Sequence, residues 1–296
     1  MSASDTFHHV RDFPYLELPG GYHLPLPHIG DFQLTKFMLL QTAAFLFCLF
    51  VFNGLSRRIK SGQPVRGRFW NFWEAIALFI RDEVVRPTIG DDHHDHDPLS
   101  TELGHGEHAH PSHEALEYGG HSADKYLPFL WSCFFFILIC NLLGAIPFLG
   151  SATGNINVTG VLAICTFFAT VIYGFQAMGP AGFFGNMKPE TGIAGPAGQT
   201  LSWGIFGIEI FGFLVKHAVL AVRLFANIMG GHTVLGVILG FIAIGASQGF
   251  LWGPITAGSI AMMLFISALE LFVAFLQAYV FTFLATIFIA SAVHKH

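Results

Sequence analysis

Charge is the scarcest commodity in this chain. Only 11% of its 296 residues are Asp, Glu, Lys or Arg, against roughly 25% in soluble domains. With 53% hydrophobic residues and Phe 33, that shortage excludes a water-soluble globular protein and implies several membrane spans. Cysteine is also scarce. All four (Cys48, Cys133, Cys140 and Cys165) sit inside apolar runs, so they read as soft packing residues and exclude a disulfide framework. No Walker-type glycine loop is present, which excludes nucleotide chemistry on this chain. Residues 1–33 mix acids, histidines and prolines and lack the basic-then-apolar order of a cleavable secretory signal. Finally, the two longest apolar runs contain no internal proline, so nothing in them demands a break.

What is present is a series of apolar runs. They predict an all-α integral membrane protein with five membrane-embedded helices and one interfacial amphipathic helix. Residues 1–33 read as a polar, partly ordered arm. Residues 34–60 hold the first span (about Phe37 to Leu55), long enough at ~1.5 Å per residue to cross a ~30 Å core. Residues 61–90 are too charged to span; Phe69, Phe72, Trp73, Ile76, Ala77 and Ile80 recur at helical spacing and predict a helix lying in the interface. Residues 91–125 form an insert rich in histidine and acids. A transmembrane hairpin follows over 126–180, with spans near Leu127–Leu149 and Val158–Met178. Residues 181–200 belong to a Gly/Pro-rich connection containing Lys188. Residues 201–296 hold the two very long runs, about Ser202–Ser247 and Ile255–Ala292. Both far exceed what a ~30 Å core needs, so they must tilt, bend or break. Steep tilt as a hairpin is the preferred reading.

Basic residues set the orientation. Arg57, Arg58, Lys60, Arg66, Arg68, Arg81 and Arg86 follow the first span, which puts that side in the cytoplasm. With five spans, Lys125, Lys188 and Lys295 fall on the same side. The N-terminus is then outside and the C-terminus cytoplasmic, in a bacterial-type plasma (inner) membrane.

Charges do occur in the last third, and they are informative because they are expensive. A charge at mid-membrane costs at least ~2.5–3.5 kcal/mol on the lenient insertion scales, so Arg223 needs water, an ion path or a counter-charge. If the last two runs turn near residue 250, Arg223 and Gln277 are equally far from the turn. His232 and Glu270 are also level with each other, ~10–14 Å of helix nearer the outside. Glu209 lies on the inner side of Arg223. Histidine titrates near neutral pH and relays protons. A neighbouring carboxylate shares that proton, with coupled titration. Arginine stays charged, so it repels or pairs but does not relay. Asn227 or Gln277 alone serves equally well as interhelical hydrogen-bond glue, and Lys216 and His217 can snorkel towards the inner interface.

The run Arg223-Leu224-Phe225-Ala226-Asn227-Ile228-Met229-Gly230-Gly231-His232 resembles the signature of subunit a of the F-type ATP synthase membrane sector. The stretch from Glu270 to Thr282 resembles that family's last helix. Asn141 to Pro147 and Asn155 to Thr159 resemble its middle hairpin. The resemblance spans about residues 35–90 and 125–292. It implies a stator beside a rotating ring of c subunits, held with b subunits in the whole complex, with two offset half-channels leading protons to and from the ring carboxylate. On that resemblance Arg223 is the barrier facing the ring, Asn227, His232, Glu270 and Gln277 line the outer half-channel, and Glu209 belongs to the inner one. The family holds an acid or a histidine at the two level positions, and here the two roles are exchanged. No cofactor is implied, and the chain is no enzyme by itself. Gly144 stands where some members carry an acid.

The insert is not a general family feature. It contains His93, His94, His96, His105, His108, His110, His113 and His121, at spacings that fit no defined metal site. It reads as a solvated loop able to bind Zn²⁺ or Ni²⁺ adventitiously. An alternative reading is a metal-ion transporter with a histidine-rich cytoplasmic loop, although a mid-membrane cation such as Arg223 repels divalent ions. A third is a structural anchor without an ion path, against which the level His232 and Glu270 argue.

Overall fold

The computed structural model describes residues 12–18, 22–29, 32–60, 67–90, 122–146, 150–188, 196–245 and 252–294. Five of its helices are long and apolar enough to cross a membrane. The protein is an all-α integral membrane protein, with one addition to the expected arm. Strands β1 (Tyr15–Leu18) and β2 (Tyr22–Pro25) pair antiparallel, as do β3 (His28–Ile29) and β4 (Phe32–Gln33). These hairpins lead into the head of α1 (Lys36–Lys60). There Asp12 Oδ1 accepts from the Phe37 backbone N–H at 3.1 Å, a carboxylate at the positive end of a helix.

The amphipathic segment is one helical rod with a loosened middle. Helix α2 (Arg68–Phe79) passes into a π-helical stretch, Ile80–Val85, and then into α3 (Arg86–Ile89). The buried stripe is Trp73, Ala77, Ile80, Val84, Val85 and Ile89. The wide π turn lets the adjacent Val84 and Val85 both face inward. Phe69 and Phe72, expected on the apolar face, are exposed, because the rod packs through the Trp73 side. Trp131 of α4 (Leu127–Gly144) donates its indole N–H to Ala77 O at 3.0 Å, tying the rod to the bundle.

The histidine-rich insert leaves from a pinned base. Arg86, just before it, forms a two-pronged ion pair with Asp124, just after it (Nε–Oδ1 3.1 Å, Nη2–Oδ2 3.0 Å). That pairing raises the Arg86 pKa further above its ordinary value. Asp82 beside it is held below the usual carboxylate range, chiefly by its hydrogen bond from Arg81. The histidines His93, His94, His96, His105, His108, His110, His113 and His121 lie outside the described residues.

Two expected boundaries move. The second span ends at Gly144, short of the expected Leu149, because a residue preceding a proline (here Ile146 before Pro147) is steered out of helical conformation. The third span, α5, runs over Ile156–Asn186 with a kink at Gly179 (φ 74°). The left-handed conformation suits glycine, and Pro180 then restarts the helix as a first-turn residue. The expected connection over 181–200 is therefore helical up to Asn186 and again from Pro196.

Helices α6 (Pro196–Gly245, 50 residues) and α7 (Trp252–Val293, 42 residues) are each continuous. At ~1.5 Å per residue they reach roughly 75 and 63 Å. No break shortens either one. They pack on each other, and α4 and α5 pack on α7. From Ala274 onward α7 buries Gln277, Ala278, Phe281, Thr282, Ala285 and further residues. Its earlier part leaves large residues such as Leu264 and Phe265 exposed.

Candidate ion path

Helix α6 has two faces at its middle. Leu220, Ala221, Leu224 and Ile228 are buried against the bundle. Val219, Val222, Arg223, Ala226 and Gly230 are exposed on the other side. Among the described residues Arg223 has no ion pair. The guanidinium therefore stands on an apolar outer face. Glu209, Lys216 and Arg223 are all exposed and spaced by seven, which returns each to nearly the same side of the helix.

Gln277 lies on the opposite kind of surface. It is 6% exposed, on the packed face of α7, and its Nε2 has no acceptor among the described residues. Among the described residues no hydrogen bond joins Arg223 to Gln277. An unmatched buried donor of this kind costs about 1–3 kcal/mol.

A cleft of about 260 Å³ opens between α6 and α7, with Asn227, Gly230, Gly231, Val234, Glu270 and Val273 among its lining residues. Glu270 is half-buried there. The position that a Cβ on Gly231 would take is 2.6 Å from Glu270 Oε1, so the carboxylate occupies the room that a missing side chain leaves. His232 is half-buried but does not line this cleft. Equal distance from the turn places residues at one depth only. One step along a helix turns the side chain by ~100°, and it is the Gly231 position that abuts the Glu270 carboxylate.

Two supporting arrangements were not foreseen. The first holds α7 in place next to Glu270. Asn141 Nδ2 donates to Ala274 O at 3.3 Å, Thr153 Oγ1 donates to Asn141 Oδ1 at 2.8 Å, and Ser151 and Thr153 hydroxyls are 3.0 Å apart. Buried polar groups of this kind fix relative position because any slip leaves them unpaired. The same turn explains Gly144: a Cβ there would come 2.6 Å from Ser151 Oγ, so no acid fits without moving Ser151.

The second concerns His217. It was expected to snorkel with Lys216, and instead it is 2% exposed. Its ring packs among Phe167, Phe213 and Phe288, with centroids 4.8–5.4 Å away. Nδ1 lies 2.9 Å from Phe213 O, and Nε2 lies 3.5 Å from Thr170 Oγ1. A carbonyl only accepts, so Nδ1 carries the hydrogen. His217 thus ties α6 to α5 and α7. The sequence signal was the aromatic residues four before His217 and on the neighbouring helices, which favour a packed ring over a solvated one.

Comparison with known proteins decides the family. The family model described as ATP synthase A chain matches residues 114–290. A protein named ATP synthase subunit a from Chloroherpeton thalassium is 35% identical, over 98% of this chain and 76% of the relative. One of the same name from Myxococcus xanthus is 34% identical, over 90% of this chain and 76% of the relative. The chain belongs to the ATP synthase A chain family. As a member it is a proton-conducting stator subunit, multi-pass in the membrane and not itself catalytic. The metal-ion transporter reading finds no support. Among the described residues no three His, Cys, Asp or Glu gather to hold a metal.

Proposed function

We propose that this chain conducts protons through two offset half-channels, meeting at a rotor carboxylate on a ring of c subunits that faces Arg223. The observation that carries the reading is an exposed arginine on an apolar helix face, with the cleft carboxylate Glu270 held apart from it between α6 and α7. Asn227, His232, Glu270 and Gln277 line the outer half-channel. The unmatched Gln277 amide supports this, since a hydrated path gives such a donor acceptors. Glu209, on the inner side of Arg223 and on nearly the same face, belongs to the inner half-channel. Arg223 cannot give up its proton, so it separates the two paths and pairs with the rotor carboxylate as each one passes.

The long helices α6 and α7 lie steeply tilted, because upright helices of this length would project far beyond a ~30 Å core. The N-terminus is outside and the C-terminus cytoplasmic, by the distribution of arginine and lysine. The membrane is the bacterial inner membrane, the stator includes b subunits, and ATP chemistry resides on other subunits of the complex.

The direct test is passive proton flux through the reconstituted membrane sector under a potassium diffusion potential. Flux is expected only in vesicles that contain this chain. Equal flux without it would leave the chain a structural anchor. The insert has no part in the path. Deleting residues 91–121 is expected to preserve ATP-driven proton pumping, since the Arg86–Asp124 pair already joins both ends of the insert. Loss of coupling in an assembled complex would give the insert a role in transport.

A further inference from the structure

The bundle interior holds a row of polar side chains that the half-channels leave unused. Thr159, Thr166 and Thr170 of α5 are fully buried and recur with Ala163 and Gly174 on one face, at the three- and four-residue spacing that stacks side chains along a helix. Each hydroxyl donates to a carbonyl of its own helix (Ile156 O at 3.2 Å, Leu162 O and Thr166 O at 2.9 Å each) and keeps a lone pair for a further donor. Thr170 meets His217 of α6 at 3.5 Å, and the His217 ring packs on Phe288 of α7, so these three residues share one level. Eleven residues outward, ~16 Å of helix rise, Thr159 on α5 matches Gln277 on α7, and both are buried. The row therefore starts level with the outer path and descends on the buried side of α6. Arg223 stands on the exposed side and does not interrupt it.

Stacked rings end the row. His217 Nδ1 places its hydrogen on Phe213 O, which leaves Nε2 to face Thr170 as an acceptor. A proton taken up there could move on only if Nδ1 released its own to that backbone carbonyl. A carbonyl does not carry a proton onward, so the imidazole is a dead end and not a relay. Phe167, Phe213 and Phe288 close around it. A second layer lies on the cytoplasmic side. The kink at Gly179 bends α5 so that Phe183 enters the space beside Gly174, where a Cβ would stand 2.6 Å from its ring and 3.1 Å from Ala292 O. There Phe183 packs on Phe175 and Phe213, with ring centroids 5.2 and 6.4 Å away.

A polar row that begins level with the outer path and stops under packed rings is a closed leak. We propose that the rings around His217, with Phe183 beneath them, form a second seal: they stop protons at Gln277 from reaching the cytoplasm through the bundle interior without meeting the rotor. Such a seal presupposes the half-channel reading above, in which Gln277 belongs to the outer path. Arg223 separates the two paths at the rotor face, and the ring cluster separates them behind it. Truncating Phe288 leaves a gap beside the imidazole, where Nε2 and the Thr170 hydroxyl are polar groups that can hold a water. That water would extend the row past His217.

The test uses the assembled membrane sector in vesicles, with the rotor carboxylate replaced by its amide so that no proton crosses by rotation. Passive proton flux is driven by a potassium diffusion potential. With the unmodified chain, flux is expected at the level of protein-free vesicles. Phe288→Ala should raise it at least about tenfold, as a barrier lower by about 1.4 kcal/mol does. Phe288→Leu, which keeps an apolar filling, should restore the seal. Ile172→Ala, at similar depth on the exposed face of α5, should not leak. Adding Glu270→Gln or Thr170→Val to Phe288→Ala should cut the leak, because the first closes its entry and the second breaks the row; a merely loosened bundle would leak regardless. If Phe288→Ala does not assemble, His217→Ala is measured in its place. A leak already present with the unmodified chain, no leak in the assembled variant, or a leak indifferent to Glu270→Gln and Thr170→Val would each overturn the second seal. Failure of the half-channel reading shows separately, as absence of flux through the sector with its native rotor.

Discussion

Arg223→Ala is expected to leave the membrane sector assembled and to abolish proton-driven ATP synthesis. Assembly should survive because the guanidinium is exposed and forms no ion pair within the described chain; its removal leaves no buried partner uncompensated. The neighbouring Leu220, Leu224 and Ile228, which do bind α6 to the bundle, are untouched. Coupling should fail because nothing else on that face carries a fixed charge at that depth. A rotor carboxylate would lose the partner that favours its ionised form, or protons would pass directly between the half-channels. Arg223→Lys keeps a charge and loses the planar fork, so it should recover little. The measurements are ATP synthesis and ATP-driven acidification in membrane vesicles, with subunit content checked alongside. Normal ATP-driven pumping by an assembled Arg223→Ala complex would remove Arg223 from the mechanism.

Gly231→Val is expected to lower proton conduction on the order of 10²-fold, the usual consequence of displacing a reacting group by about 1 Å. A Cβ at that position falls 2.6 Å from Glu270 Oε1 and 3.1 Å from its Cδ. The carboxyl group must therefore leave its place in the cleft. Because it is the free end of a flexible side chain, the helices need not separate, and stability should change little. Gly240→Ala is the control: it also removes a helical glycine from α6, and its Cβ would meet nothing within 4 Å. That variant should conduct as the unmodified protein does. Glu270→Gln, which retains the shape and cannot ionise, should resemble Gly231→Val in passive proton flux. Unchanged flux in Gly231→Val would mean that protons do not depend on where Glu270 sits.

Much of this was legible in the chain because the bilayer restricts the options. Apolar runs long enough to cross must be helices, since lipid offers no partner for backbone groups. That one constraint yields the five long helices; the sequence left α6 and α7 to tilt, bend or break, and the structure makes each continuous. Arg223, Glu209 and Glu270 stood out for the same reason: in a chain so poor in charge, an ionisable residue within an apolar run needs a cause. The positions of helix ends were less legible. Gly179 and Pro180 look like a loop in sequence, yet a single left-handed residue lets α5 change direction and continue to Asn186.

The sequence by itself determined the membrane class, the number of long helices, the family motifs and the order of Glu209, Arg223 and His232 along one helix, because each of these depends on composition or on distance along a helix. Only the tertiary structure decided which side chains meet. It set Gly231 against Glu270, buried Gln277 on α7, hung α7 from Asn141, and turned His217 inward while its neighbour Lys216 stayed exposed. Depth along a helix follows from counting residues at a fixed rise. The rotation of one helix against another follows from how distant side chains pack, and here that rotation decided which residue fills the place opposite each charge.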